Sequence, residues 1–293
     1  MCAAELAELI CLMAPLNPWF IKGVRALTPL VEHSALDTLS NRSQARIALA
    51  RGLRAYWQHD LAGTETFMTE GTRRYAAEGV VVGQVLTLGY RTSAVMHRGL
   101  LEEAEHLSRE SIALAEGHGD PFITSMALHA RMVVPQTRQD APEITRLAWR
   151  MHEVAQQTSS TYILLMSRVY LAQGERLAGH FAEAAEHLSQ AGPYADALDS
   201  AMGRLAVLTG WAQLALARGD GPSLGWLSGV LERQRGLQPT TWDSGTGSTL
   251  AQVERSARSL LGADLFGEWQ KRGREAGVQE ALTRLARTQG QPA

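Results

Sequence analysis

Gly179 is followed five residues later by Ala184 and twelve residues later by Ala191, and the same spacing recurs at Gly99, Ala104 and Ser111. The two glycines are 80 positions apart, which suggests a period of 40, and a step of 40 from His59 lands on Gly99, Gln139, Gly179 and Gly219. Other phases agree. Asp60, Asp140 and Asp220 share one, placed to accept hydrogen bonds from the free N–H groups that open a helix. Pro142 and Pro222 share another, in a first turn where a missing N–H costs nothing. Phe67, Leu107, Leu147 and Leu227 align as a buried position, with His187 as the exception. Thr64, Ala104, Ile144, Ala184 and Leu224 align as the position of close helix contact. A repeat of this length is one helical hairpin, which cannot bury its apolar face alone and must stack on its neighbours.

The expected fold is all-α: a right-handed solenoid of tetratricopeptide-like helical hairpins, forming a single domain over residues 1–293. Residues 1–40 read as N-terminal cap helices, Ala3–Met13 and Trp19–Leu39. Residues 41–236 read as five hairpins, the third built from Phe122–Val134 and Ala141–Gln157. Gly236–Ser248 is rich in glycine, proline, serine and threonine and predicts a longer loop. Residues 248–287 predict a C-terminal capping hairpin of helices Thr249–Leu261 and Asp264–Arg287. Gln289–Ala293 is expected to fray.

A net charge of −2 with interspersed signs leaves no basic footprint for direct nucleic-acid contact and no polybasic face for a membrane. Of the 28 basic residues only Lys22 and Lys271 are lysines, a skew that points to a GC-rich genome. Cys2 and Cys11 fall on opposite faces of one predicted helix, so no disulfide is expected between them. The apolar start carries Glu5 and Glu8 and lacks a basic leader, so a cytoplasmic location is expected.

Two further stretches, Ala113–Phe122 and Leu261–Trp269, the latter continuing through Gly273-Arg274 to Glu280-Ala281-Leu282, are mainly packing motifs. With the long period they resemble the helical-repeat region of large ATP-dependent bacterial transcription regulators of the MalT and LuxR type. Similar arrays are attached to some bacterial nucleotide cyclases and kinases. The resemblance implies a sensor or protein-contact arm in transcriptional or other signalling, whose switch activity resides elsewhere. The chain has no G-x-x-x-x-G-K-[ST] loop and no basic helix-turn-helix segment, so a piece of a larger regulator and a stand-alone repeat protein both fit.

No catalytic constellation and no cofactor are expected. Glu103-Ala104-Glu105-His106 contains the Glu-x-x-His spacing of carboxylate-bridged metal centres, but such a centre needs two copies. One repeat on, Glu143 and Arg146 stand there, then Glu183 and Glu186; Glu103 and His106 therefore read as a solvated face and no metal is expected. The first helix of each hairpin is expected to line a concave groove. The glycine register puts Arg46, Tyr56 and Trp57 there, then Met96 and His97, Met126 and His129, Met166 and Gln173, and Gln213, with Tyr90 and Tyr170 flanking. Methionine, aromatic and histidine side chains together suggest an adaptable, partly apolar pocket for a small molecule or a peptide. The same stripe also reads as core packing, since a one-residue register error turns several of these side chains inward. Three functional classes follow: a ligand-binding sensor, a constitutive protein–protein adaptor, and an enzyme on a repeat scaffold. The first leads, with a protein partner as reader of the ligand-biased shape. Trp149 and Trp211 read as packing residues, and Leu208–Leu216 reads either as a face for a second copy or as stacking within the array.

Overall fold

The structure, a computed structural model, describes residues 39–237 and 244–287. The predicted cap helices at residues 1–38, the middle of the predicted loop at 238–243 and the tail from 288 lie outside them. Every regular element among the described residues is a helix. In chain order these are α1 (Asn41–Trp57), α2 (Leu61–Ala77), α3 (Val81–His97), α4 (Leu101–His118), α5 (Pro121–Arg131), α6 (Val133–Arg138) and α7 (Ala141–Thr158). They continue as α8 (Thr161–Leu177), α9 (Phe181–Ala197), α10 (Ala201–Arg218), α11 (Gly221–Leu237), α12 (Ser244–Leu261), α13 (Ala263–Glu275) and α14 (Val278–Arg287).

The turns recur at half the 40-residue period, close to the helix ends expected for the hairpins. A residue with positive φ stands at His59, Gly79, Gly99, Gly119, Gln139, Ser159, Gly179, Asp199 and Gly219, one every 20 residues. At each point the chain leaves a helix through the left-handed region, reverses, and starts the next helix within a few residues. Glycine does this without strain. His59, Gln139, Ser159 and Asp199 do it at φ between 44 and 58°, where an L-residue is disfavoured by about 1 kcal/mol. Restarts are capped in the predicted phase: Asp60 accepts from Gly63 N at 2.9 Å, Asp140 from Glu143 N at 3.2 Å and Asp220 from Ser223 N at 3.1 Å. Thr64, Ala104, Ile144, Ala184 and Leu224, the close-contact phase, are all completely buried.

The chain divides into two compact units. One runs to Gln139 and includes Glu153–Ser160; the other comprises Asp140–His152 and everything from Thr161. In the first, consecutive helices from α1 to α5 pack on each other, and α3 also packs on α5. Leu49, Leu53, Met68, Tyr75, Leu88, Leu128 and Met132 are its largest fully buried side chains. The helix predicted over Phe122–Val134 breaks after Arg131 and resumes as α6. Pro135 explains the break: it has no N–H for the Arg131 carbonyl four residues back, and its ring collides with that carbonyl.

In the second unit α8 packs on α9 and α10, and α10 on α11 and α12. Its core centres on Trp211 and Trp226, with Leu188, Leu208, Leu227, Val253 and Phe266; each such side chain contributes about 1.5–3 kcal/mol by leaving water. The stretch Leu208–Leu216 belongs mostly to this core, with Trp211 only 2% exposed. Here α11 and α13 touch backbone to backbone. A Cβ on Gly273 would lie 1.9 Å from the Trp226 carbonyl oxygen, and one on Gly229 would lie 2.0 Å from that of Gln270. The helix predicted over Asp264–Arg287 is two helices. Arg233 Nη1 donates to the carbonyls of Arg274, Glu275 and Ala276 at 3.1–3.2 Å, which ends α13. The chain bends at Ala276 and α14 returns along α9, α10 and α11, burying Ala281, Leu282 and Leu285. Gln279 Nε2 reaches Asp196 Oδ2 at 2.6 Å.

Candidate binding faces

The predicted groove residues fall in both units: Arg46, Tyr56, Trp57, Tyr90, Met96, His97, Met126 and His129 in the first, Met166, Tyr170, Gln173 and Gln213 in the second. In the first unit the aromatic members meet. Tyr56 packs edge-on against Trp57 at 5.4 Å and against Tyr90 at 5.3 Å, joining α1 to α3. All three are half-buried, and Trp57 Nε1 is shielded with no acceptor among the described residues. Arg46, Met126 and His129 are also half-buried. Desolvation of the His129 ring pushes its pKa down to about 4, so it is neutral at physiological pH.

Two of the predicted residues do not share this environment. Met96 is 7% exposed and packs with Leu88, Val95, Ala104, Leu107 and Val134, so it is a core residue. His97 is exposed, and its Nδ1 lies 3.0 Å from the Ser93 carbonyl one turn back. In the second unit Met166 and Gln173 are half-buried on α8, Met166 leaning on the core, while Tyr170 is 8% exposed.

The sequence reading missed two charged clusters. In the first unit Glu105, 9% exposed, receives Arg131 at 2.8 Å, Arg109 at 2.8 Å and Arg138 at 3.1 Å. Burial pushes the Glu105 carboxyl up, but the Arg131 hydrogen bond and the three guanidinium charges outweigh it and hold the pKa below the ordinary value. Arg131 also donates to Ser108 Oγ at 2.9 Å. Glu105 lies between the Glu103 and His106 that the motif search picked out. Glu103 itself pairs with Arg91 at 2.9 Å and His106 is exposed. The overlooked signal was one of register: Arg98 bridges to Glu65, and 40 residues on Arg138 bridges to Glu105.

The second cluster lies in the second unit. Arg168 Nη1 lies 3.2 Å from His187 Nδ1, and its Nη2 lies 3.2 Å from His152 Nε2. A guanidinium only donates, so both ring nitrogens accept and both imidazoles are neutral. His152 then carries its proton on Nδ1 and donates to Ser167 Oγ at 3.0 Å, while Ser167 donates to the Leu164 carbonyl at 2.8 Å. Trp149, 42% exposed, stacks edge-on against both rings at 5.8–5.9 Å with Arg168 over its face. Trp149 is thus a packing residue, but of a polar cluster. Desolvation and then Arg168 lower the His187 pKa, against Glu175, Glu186 and Gln190, which raise it. His187 is the apolar-phase exception noted in the sequence.

A depression of about 510 Å³ between α3 and α4 is lined by Val81, Glu110, Ala113, Leu114, Gly117 and His118. It is open to solvent and contains none of the predicted residues, so the aromatic group is the better candidate. Among the described residues no three His, Cys, Asp or Glu side chains converge as a metal site, and no helix is long and apolar enough to cross a membrane. Compared with known protein-family models and with curated proteins, the chain matches none.

Proposed function

We propose that this chain is a non-enzymatic sensor whose helix pairs stack as a right-handed, tetratricopeptide-like solenoid and whose first helices present the ligand-binding face. The ligand is a small molecule or peptide, the reader is a protein partner, and the setting is bacterial transcriptional or signalling regulation. The observation that carries the reading is the Tyr56–Trp57–Tyr90 group: three half-buried aromatic rings from two neighbouring first helices in edge contact. Such rings bury a large area at low entropic cost and keep polar tips for orientation. The 20-residue recurrence of the turns supports a quasi-one-dimensional stack, in which small rotations between neighbours add up. A ligand that binds one curvature better shifts the population towards it.

Native mass spectrometry of gently purified protein tests this. The expected result is a defined retained mass, released on denaturation and lost in Tyr90→Ala that keeps its helical circular dichroism. Retention of the same mass by folded Tyr90→Ala refutes the site. A clean apo mass refutes the sensor reading in favour of an adaptor.

A further inference from the structure

On the first-helix face of the second unit the Arg176 charge has no answer among the described residues. Arg176 stands in the last turn of α8, three residues beyond Gln173, on the stripe that contains Met166 and Val169. It is half-buried, and its Nε is shielded from solvent with no acceptor. Among the described residues no hydrogen bond or ion pair reaches its guanidinium, and no neighbouring charge offsets its desolvation, which alone lowers its pKa. Other arginines of this unit are engaged: Arg146 on Glu143 at 2.7 Å, Arg204 on Asp199 at 3.0 Å, Arg218 on the Phe181 carbonyl at 2.7 Å. Even Arg168, which meets no carboxylate, has both terminal nitrogens on imidazoles.

Burial is unfavourable for a charged group unless it is paired and hydrogen-bonded, and a guanidinium cannot escape by losing its proton. A half-buried arginine without a partner among the described residues therefore suits a partner from outside. Its planar fork of donors matches a carboxylate or a phosphate. The surroundings extend the fit. Met166 and Val169 on the same stripe are partly buried and apolar. Gln213 on α10, the neighbouring first helix, holds the register position that Gln173 holds on α8 and is also half-buried. We propose that Arg176 anchors an anionic group, a carboxylate or a phosphate, of a ligand that binds the first-helix face of the second unit, with Met166 and Val169 receiving the adjoining hydrocarbon. This rests on the reading above that first-helix faces bind ligands, and assigns acidic ligands to the face of the second unit.

The test uses the full chain and two probes, acetate and inorganic phosphate, each titrated at constant ionic strength with chloride as the balancing salt. The expected result is a saturable rise in Tm with at least one probe, lost in Arg176→Gln and kept in Arg73→Gln. The stronger of the two responses says which anion the site prefers. In chloride alone Arg176→Leu is expected to be at least as stable as the parent, because a charge held for an external anion does not serve the fold. The Arg176 Nε–H resonance of the unaltered chain should shift on adding the same probe, a readout that needs no variant to fold. No Tm response and no shift, an equal response in Arg176→Gln, or clear destabilisation by Arg176→Leu each overturns the proposal. Those results leave the sensor reading standing or falling on the retained mass and Tyr90→Ala.

Discussion

In the first unit one register contact between helices is ionic. Glu65 on α2 meets Arg98 beyond the end of α3, and Glu105 on α4 meets Arg138 at the end of α6, the same step of 33 residues in both cases. In the second unit the corresponding positions hold Thr145 and Ala178, then Ala185 and Arg218, and Arg218 turns to the backbone carbonyl of Phe181. The close approaches there are made by glycine. A Cβ on Gly174 would meet Thr145 Oγ1 at 2.2 Å, and Gly229 and Gly273 bring α11 and α13 into backbone contact. The repeat thus dictates the path of the chain and the places where helices must be locked, and leaves the chemistry of each lock to local sequence. An ionic lock fails when a charge is removed; a steric lock fails when an atom is added.

The ionic lock is the easier to break. Glu105→Ala leaves Arg131, 8% exposed, without its carboxylate, and is expected to cost about 3–5 kcal/mol in denaturant unfolding. Glu65→Ala removes the partner of Arg98, whose side chain is 44% exposed, and is expected to cost under about 1 kcal/mol. Equal losses for the two would show that burial does not distinguish the two copies of the contact.

The steric lock comes next. Gly273→Ala is expected to cost about 1–3 kcal/mol, because the added carbon meets a backbone oxygen that cannot rotate away. Gly267→Ala is the control on the same helix: nothing lies within 4 Å of its Cβ, and the gain in helix propensity makes it neutral or stabilising. Thermal unfolding of the pair reads the difference, and a Gly273→Ala chain as stable as the control would remove the close contact from the account.

Much of the backbone logic was legible in the sequence, because turns and caps are local. The aspartate phase, the buried phase at Leu107, Leu147 and Leu227, and the fully buried phase from Thr64 to Leu224 all follow from one period, although Phe67, expected in the second of these, is only half-buried. The glycine period itself does not mark the intermediate turns, because Ser159 and Asp199 break the glycine pattern while keeping the backbone conformation; those reversals follow from the expected helix ends instead. The return of α14 onto α9 escaped the period because contacts 83 residues apart leave no local mark. Face assignment was the weaker part: Met96 and Tyr170 were assigned to the groove with Tyr56 and Met166, yet at 7% and 8% exposed they lie in the core. Glu105 and Arg176 could not be read at all. Whether a charge is answered depends on which helix arrives beside it.

The histidine at the buried phase offers the smallest and most specific comparison. His129 in the first unit is kept neutral by burial alone, whereas His187 in the second is held down by desolvation and by Arg168, against Glu175 and Glu186. Both folded-state pKa values lie below the ordinary histidine value of 6.5, so the stability they contribute is present above about pH 6.5. It is lost as pH falls below that value and through each folded pKa, because the unfolded chain takes up the proton first. His187→Leu restores the leucine that the same register carries at Leu107, Leu147 and Leu227. It removes the imidazole from Arg168 Nη1 and leaves the His152 bond to Nη2 in place. The expected outcome is that the variant loses less stability than the parent between about pH 7 and about pH 5, while the fall due to His129 persists in both. Unfolding midpoints across that range read the difference. Parallel curves would mean that His187 does not contribute to the pH response over that range, and that neither its burial nor its Arg168 contact matters there.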